Sequence, residues 1–167
     1  MAKIITTIEQ SKTLIKQGKQ KSVDKPNKVD PTFNEGDWII SKSSGSVHQI
    51  KRCIENTISH KYGYDLTDGD YISSIAVNSY RLWTIEDAKD GDVLVCDNSK
   101  CIVIFKNIRD EEFFNSHGFI GCCSGRFEPR QGYHSIKDAH PVTKEQRDLL
   151  LTKMKEAGYK WNEDKRN

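Results

Sequence analysis

A chain of 167 residues with 35% hydrophobic and 30% charged residues suits one compact domain or two very small ones, rich in surface relative to core. No apolar run is long enough to span a membrane, and the start "MAKIITTIEQ" lacks a secretory core, so a cytoplasmic product with reduced thiols is expected. The net charge of +2 hides a split: residues 1 to 33 carry seven lysines against three acids, leaving 19 basic and 21 acidic residues in the remainder.

"TIEQSKTLIKQG", residues 7 to 18, predicts a short helix. Thr7 caps it, Gln10 completes a capping box, Gly18 ends it, and Ile8, Leu14 and Ile15 form a narrow apolar stripe. The following "KQKSVDKPNKVDP" has lysines, prolines and no apolar period, and reads as a linker. The folded body is expected to begin near Phe33.

Residues 35 to 52, "EGDWIISKSSGSVHQIKR", align without a gap on residues 90 to 107, "DGDVLVCDNSKCIVIFKN", 55 positions on. Acid, Gly and Asp lead in both copies, then three apolar residues, a polar turn and an apolar return strand reaching Lys51 or Lys106. Each copy predicts a β-hairpin. Gly36 and Gly91 supply positive φ at the bend, and Asp37 and Asp92 can bond neighbouring amides. Because neither hairpin buries a face alone, the two are expected to share a sheet or to close as SH3-like barrels. "DGDYIS", residues 68 to 73, predicts a weaker third copy, opening a strand pair that ends in "YRLW".

Between the repeats, Thr84 and Asp87 predict one or two capped helical turns. In "TKEQRDLLLTKMKEAG", Thr143, Gln146 and Gly158 bound a helix whose buried stripe is expected to be Leu149, Leu150, Met154 and Ala157. Tyr159 and Trp161 are expected to pack beside the sheet. The reading is therefore mainly β within an α+β chain: tandem SH3-like units with a short N-terminal helix and a C-terminal helix. The expected boundaries are 1–32 for the helix and basic linker, 33–83 for the first β unit and 84–167 for the second.

"YRLWTIEDAKDGDVLV" and "TKEQRDLLLTKMKEAGYKWN" resemble a recurring class of proteins from phages and mobile elements of gut Bacteroidales, and "TIEQSKTLIKQG" is similar to a leader on related proteins. The resemblance covers about half the chain and implies a setting; it transfers no catalytic residues.

Enzyme signatures are missing: no GxxxxGK[ST], no GxGxxG after a strand and no HExxH occurs. "GCCSGRFEPR", residues 121 to 130, concentrates thiols, glycines and arginines that could cradle an anion, but its arginine spacing does not fit a cysteine-phosphatase loop. Cys123 as nucleophile with His117 or His134 as base, or a zinc set from Cys96, Cys101, Cys122 and Cys123, has the residue types without the usual spacing. No cofactor or metal site is expected. The histidines His48, His60, His117, His134 and His140 lack ligand spacing, and the acids of "RDEE", residues 109 to 112, read as a solvated connection.

The expected function is non-enzymatic: an accessory binding protein of a phage or mobile element that occludes a host protein, as an inhibitor of a host defence complex would. Arg126, Phe127, Arg130, Tyr133 and His134 are the expected contacts, since arginine and aromatic residues dominate interfaces. One alternative is sequence-blind nucleic-acid binding through Lys16, Lys19, Lys21, Lys25 and Lys28. The other is a pocket at 121 to 134 that binds or cleaves a nucleotide.

Overall fold

The computed structural model describes residues 30–59, 61–121 and 123–160. The expected N-terminal helix, the lysines of the linker, His60, Cys122 and Trp161 lie outside them. From Pro31 onward the chain forms one compact unit, mainly β, with two antiparallel sheets and a C-terminal helix.

The first sheet holds β1 (Trp38–Ser41), β2 (Val47–Asn56), β3 (Lys61–Leu66), β4 (Tyr71–Ile72) and β5 (Tyr80–Leu82), in the order β4-β3-β2-β1-β5. The second holds β6 (Val93–Cys96), β7 (Cys101–Ile108), β8 (Phe113–Ile120), β9 (Phe127–Glu128), β10 (Gly132–Ser135) and β11 (Ala139–Pro141). Its order is β10-β8-β7-β6-β11, with β9 alongside β8. Each predicted hairpin seeds its own sheet, and among the described strands both sheets are open in hydrogen-bonding order.

The two sheets repeat one plan, and the turn phrase shows why. Gly36 and Gly91 have φ of 88° and 86°, a region where a Cβ costs roughly 1–2 kcal/mol. Gly36 N–H donates to Ile50 O at 2.8 Å, and Gly91 N–H to Phe105 O at 2.9 Å. Asp37 Oδ2 accepts from Asn34 N–H at 2.7 Å, and Asp92 Oδ2 from Lys89 N–H at 2.9 Å. The correspondence then runs on through the whole sheet. The ladder irregularity between Ile50 and Arg52 recurs between Phe105 and Asn107, so Lys51 and Lys106 sit at matching bulges. Tyr64 faces Ile72 as Phe114 faces His134. Tyr80 to Leu82 close the first sheet on β1 as Ala139 to Pro141 close the second on β6. A Thr-led capping box follows each closing strand, at Thr84 and Thr143.

If the two bends are one device used twice, Gly36→Ala and Gly91→Ala each lower stability by about 1–2 kcal/mol. Urea unfolding of both variants checks the parity; a loss confined to one of them contradicts it.

Buried side chains lie on matching faces: Ile39, Ile50, Tyr64, Leu66 and Ile72 with Phe33 in the first sheet, and Leu94, Val103, Phe105 and Phe114 with Ile85, Cys96 and Cys101 in the second. Among the described residues, a helix covers the other face of the second sheet. Helix α1 (Lys144–Glu156) lays Leu150 and Met154, with Leu151, on Val93, Ile104, Ile120 and Phe127. This corrects the expected stripe: Leu149 is 46% exposed and Ala157 is also exposed, because Leu150, Leu151 and Met154 set the buried angle of the helix. Trp38, the counterpart of Val93, instead stacks on His140 of the second sheet, ring centres 5.9 Å apart.

Two further expectations change. "DGDYIS" is a turn leading into β4, and β4 and β5 pair with β3 and β1 rather than with each other. The return strands also do not stop at the lysines; they continue past the bulges to Asn56 and Ile108.

Candidate interaction surface

The expected contact residues divide by burial. Phe127 is buried beneath α1 with Ile120, Leu150 and Met154, and His134 is buried beside Phe114 and Phe119. Neither offers a contact, because the short strands β9 and β10 turn these side chains inward. Arg126, Arg130 and Tyr133 are exposed. Arg126 lines a small cleft with Lys153 and Glu156. Arg130 Nε donates to Glu128 Oε2 at 2.8 Å, and its guanidinium lies 5.6 Å from the Phe119 ring centre.

Tyr133 is the organising residue. It stands on β10 opposite Asn115, is 61% exposed, and carries the Arg109 guanidinium 4.5 Å from its ring centre. Arg109 is fixed where β7 ends, its N–H donating to Phe113 O at 3.0 Å. Phe113 opens β8 as an exposed aromatic. Between these groups Asn115 Nδ2 donates to Asn107 Oδ1 at 2.7 Å. The turn beyond is acidic: Asp110 Oδ1 accepts from Glu112 and Phe113 amides at 3.0 and 2.8 Å, and Glu111 and Glu112 are exposed. A rigid tyrosine clamped by a cation, a second aromatic and a charged rim have the composition of a protein contact. Arg109 and Phe113 escape sequence reading because "RDEE" reads as a solvated connection and "FF" as core packing; Phe114 is buried as that reading expects, but Phe113 is exposed, because strand alternation in β8 sends the two rings to opposite sides.

The first sheet presents Tyr71 at the matching position, opposite Asp65 and 58% exposed. Its ring lies over Gly63, where an added Cβ would stand 2.1 Å from Tyr71 Oη, and the neighbouring cross-strand pair is Arg52 with Asp65 at 2.6 Å. Equivalent scaffolds thus carry different chemistry.

Ser116 and His134 hold the only serine–histidine hydrogen bond among the described residues, Oγ to Nε2 at 3.1 Å. Gly132 N–H also donates to Ser116 Oγ at 3.2 Å, and a Cβ on Gly132 would approach His134 Nε2 to 2.7 Å, so glycine permits this close fit. With Ser116 at 0% exposure, a substrate has no path to its hydroxyl, and the pair is a core element standing where the first sheet has Leu66 and Ile72. Burial holds His134 below the ordinary histidine pKa. Its neutral form is therefore the folded one. Stability is constant above the ordinary value of about 6.5, falls as pH drops below it while the unfolded chain takes up the proton, and levels off below the folded value. The slope of this component stays below the one-proton limit of about 1.4 kcal/mol per pH unit. Urea unfolding between pH 8 and pH 5 checks this against the double variant S116L/H134I, which adopts the first sheet's residues and lacks that component.

His117 Nε2 lies 2.6 Å from Asp90 Oδ1, and His134 Nε2 lies 3.1 Å from Ser116 Oγ. Cys96 and Cys101 are buried while Cys123 is exposed, and these three form no metal-type cluster among the described residues. Burial, with smaller contributions from Cys101, Asp138 and Asp97, pushes the Cys96 thiol up to about 12.

A cleft of about 390 Å³ between the sheets is lined by Trp38, His48 and Asp68 on one side and Val142, Lys144 and Glu145 on the other. At its rim His48, Asp68 and Asp70 bring donor atoms within 4.8 Å of one another, a set chemically suited to a divalent cation. The 2.6 Å bond from His48 Nδ1 to Asp68 Oδ2 accounts for the closeness of those two groups without one, and it holds the Asp68 carboxyl below its usual range against the opposing effect of burial.

No protein family matches the chain, and no curated protein matches it.

Proposed function

We propose that the protein is a non-enzymatic binding protein, an accessory factor of a phage or mobile element that covers a host protein in the cytoplasm and so blocks it. The observation that carries this reading is the exposed Tyr133 ring held under the Arg109 guanidinium, with Phe113 beside it and acids around it. Aromatic and arginine anchors inside a charged rim are where interface energy concentrates. Two supporting arguments concern the scaffold. The strand order, with a 3-10 turn at Ala76–Ser79 before the closing strand of the first sheet, agrees with reading each sheet as an SH3-like unit, divided at 33–83 and 84–167. The resemblance of residues 80 to 95 and 143 to 162 to mobile-element proteins supports the setting, and inhibition of a host defence complex is the role that joins setting to surface.

The acidic turn at Asp110, Glu111 and Glu112 repels phosphate from this face, which favours protein over nucleic acid as its partner. Binding through the N-terminal lysines is a separate reading, on residues outside those described, and filter binding at two salt levels with and without residues 1 to 30 decides it. The principal test is capture from a Bacteroidales lysate with wild-type and R109A/Y133A bait. A protein held by the wild type and lost from the variant supports the proposal; identical captured sets overturn it.

A further inference from the structure

Cys96 and Cys101 are direct partners across the β6–β7 hairpin, on the last rung before its turn. Both side chains enter the same core cluster, between Leu94, Val103 and Phe105. In the first sheet the same rung is Ser41 with Ser46, where Ser41 N–H donates to Ser46 O at 2.9 Å. Both serines of that rung are thus replaced by cysteine in the second sheet. Residues that exchange backbone bonds across an antiparallel pair have Cα atoms about 5.5 Å apart, inside the span of a disulfide. Their Cβ atoms must close by roughly 1–2 Å, and only a four-residue turn, residues 97 to 100, follows this rung.

We propose that Cys96 and Cys101 are a modification site, a cross-strand dithiol that a low-molecular-weight disulfide such as oxidised glutathione converts to an intramolecular disulfide. Cys101 is the entry point: it is 8% exposed against 2% for Cys96, and its Sγ lies 3.3 Å from Ser99 O in the turn. Its thiolate attacks one glutathione sulfur, a mixed disulfide forms and a first glutathione thiolate leaves. Cys96 then loses its proton, attacks the Cys101 sulfur and expels the second; its raised pKa makes this the slower step. Two protein thiols lose two protons and two electrons in all, and one glutathione disulfide becomes two glutathione thiols. The bond would clamp the turn that carries Asp97, whose Oδ1 lies 3.1 Å from His140 Nε2; His140 is the ring that stacks on Trp38. Oxidation at the hairpin tip thereby reaches the joint between the sheets.

The test uses the full-length folded protein in glutathione buffers of rising oxidised share, with free thiols then trapped by N-ethylmaleimide. Trypsin cuts after Lys100, so the disulfide leaves peptides 90–100 and 101–106 joined. The expected result is that joined pair, unalkylated, with an intact mass lower by two hydrogens and reversal by dithiothreitol. In C96S the second step is blocked, and Cys101 retains one glutathione. Alkylation of both thiols at every ratio overturns the proposal, as does joining seen only after unfolding in urea, or Cys101 joined to Cys123 instead.

Discussion

Phe114→Ala lowers the stability of the protein by about 3–5 kcal/mol. Phe114 is fully buried, with ring centres 5.4 Å from both Phe105 and His134. Truncation removes the ring's transfer energy and leaves a cavity that the flanking strands cannot close, since β8 is paired on both sides here, to β7 at Ile108 and to β10 at His134. It also strips an aromatic wall from the buried Ser116–His134 hydrogen bond, which loses more as its surroundings wet. Urea unfolding measures the loss. A change below about 1 kcal/mol would mean that the second sheet collapses around the gap and that this core does not organise it.

The second large effect falls on binding and leaves folding intact. Tyr133→Ala weakens partner binding by about 2 kcal/mol, roughly 30-fold, because the ring removed is the one that Arg109 already holds in place. An anchor immobilised before contact loses little side-chain entropy on binding. Arg109→Ala acts in the same direction by releasing the ring, and the double variant falls short of the sum, as expected for residues in direct contact. Stability moves by less than about 0.5 kcal/mol, since neither group enters a buried cluster, so an affinity loss accompanied by intact unfolding curves is the signature to look for.

Part of this architecture is readable from the chain. Gly36 and Gly91 announce the duplication because a positive φ leaves few residue choices and a spacing of 55 survives between the hairpins. The capping boxes at Thr84 and Thr143 are local for the same reason. Beyond the hairpins the duplication fades from the sequence. The loops differ in length, so Tyr64 and Phe114, or Ile72 and His134, no longer share that spacing, and the paired positions exchange chemistry: Leu66 for Ser116, Arg52 for Asn107. Strand pairing tolerates such changes, since backbone bonds are indifferent to side chains and the core asks only for fitting volume. The surface was legible in half. Tyr133 and Arg130 stand out as residue types, whereas Arg109 and Phe113 join Tyr133 only through cross-strand register, and the inward turn of Phe127 and His134 depends on pairing of strands two and four residues long.

The duplication also supplies the sharpest control. Tyr71 occupies on the first sheet the register position of Tyr133 on the second, with comparable exposure, but lies against Gly63 in place of an arginine clamp. The decisive measurement is a titration of the captured partner against Y133A and Y71A side by side. The proposed surface predicts a loss of about 30-fold for Y133A and a change within about 2-fold for Y71A. Equal losses, or a loss at Tyr71 alone, would contradict it.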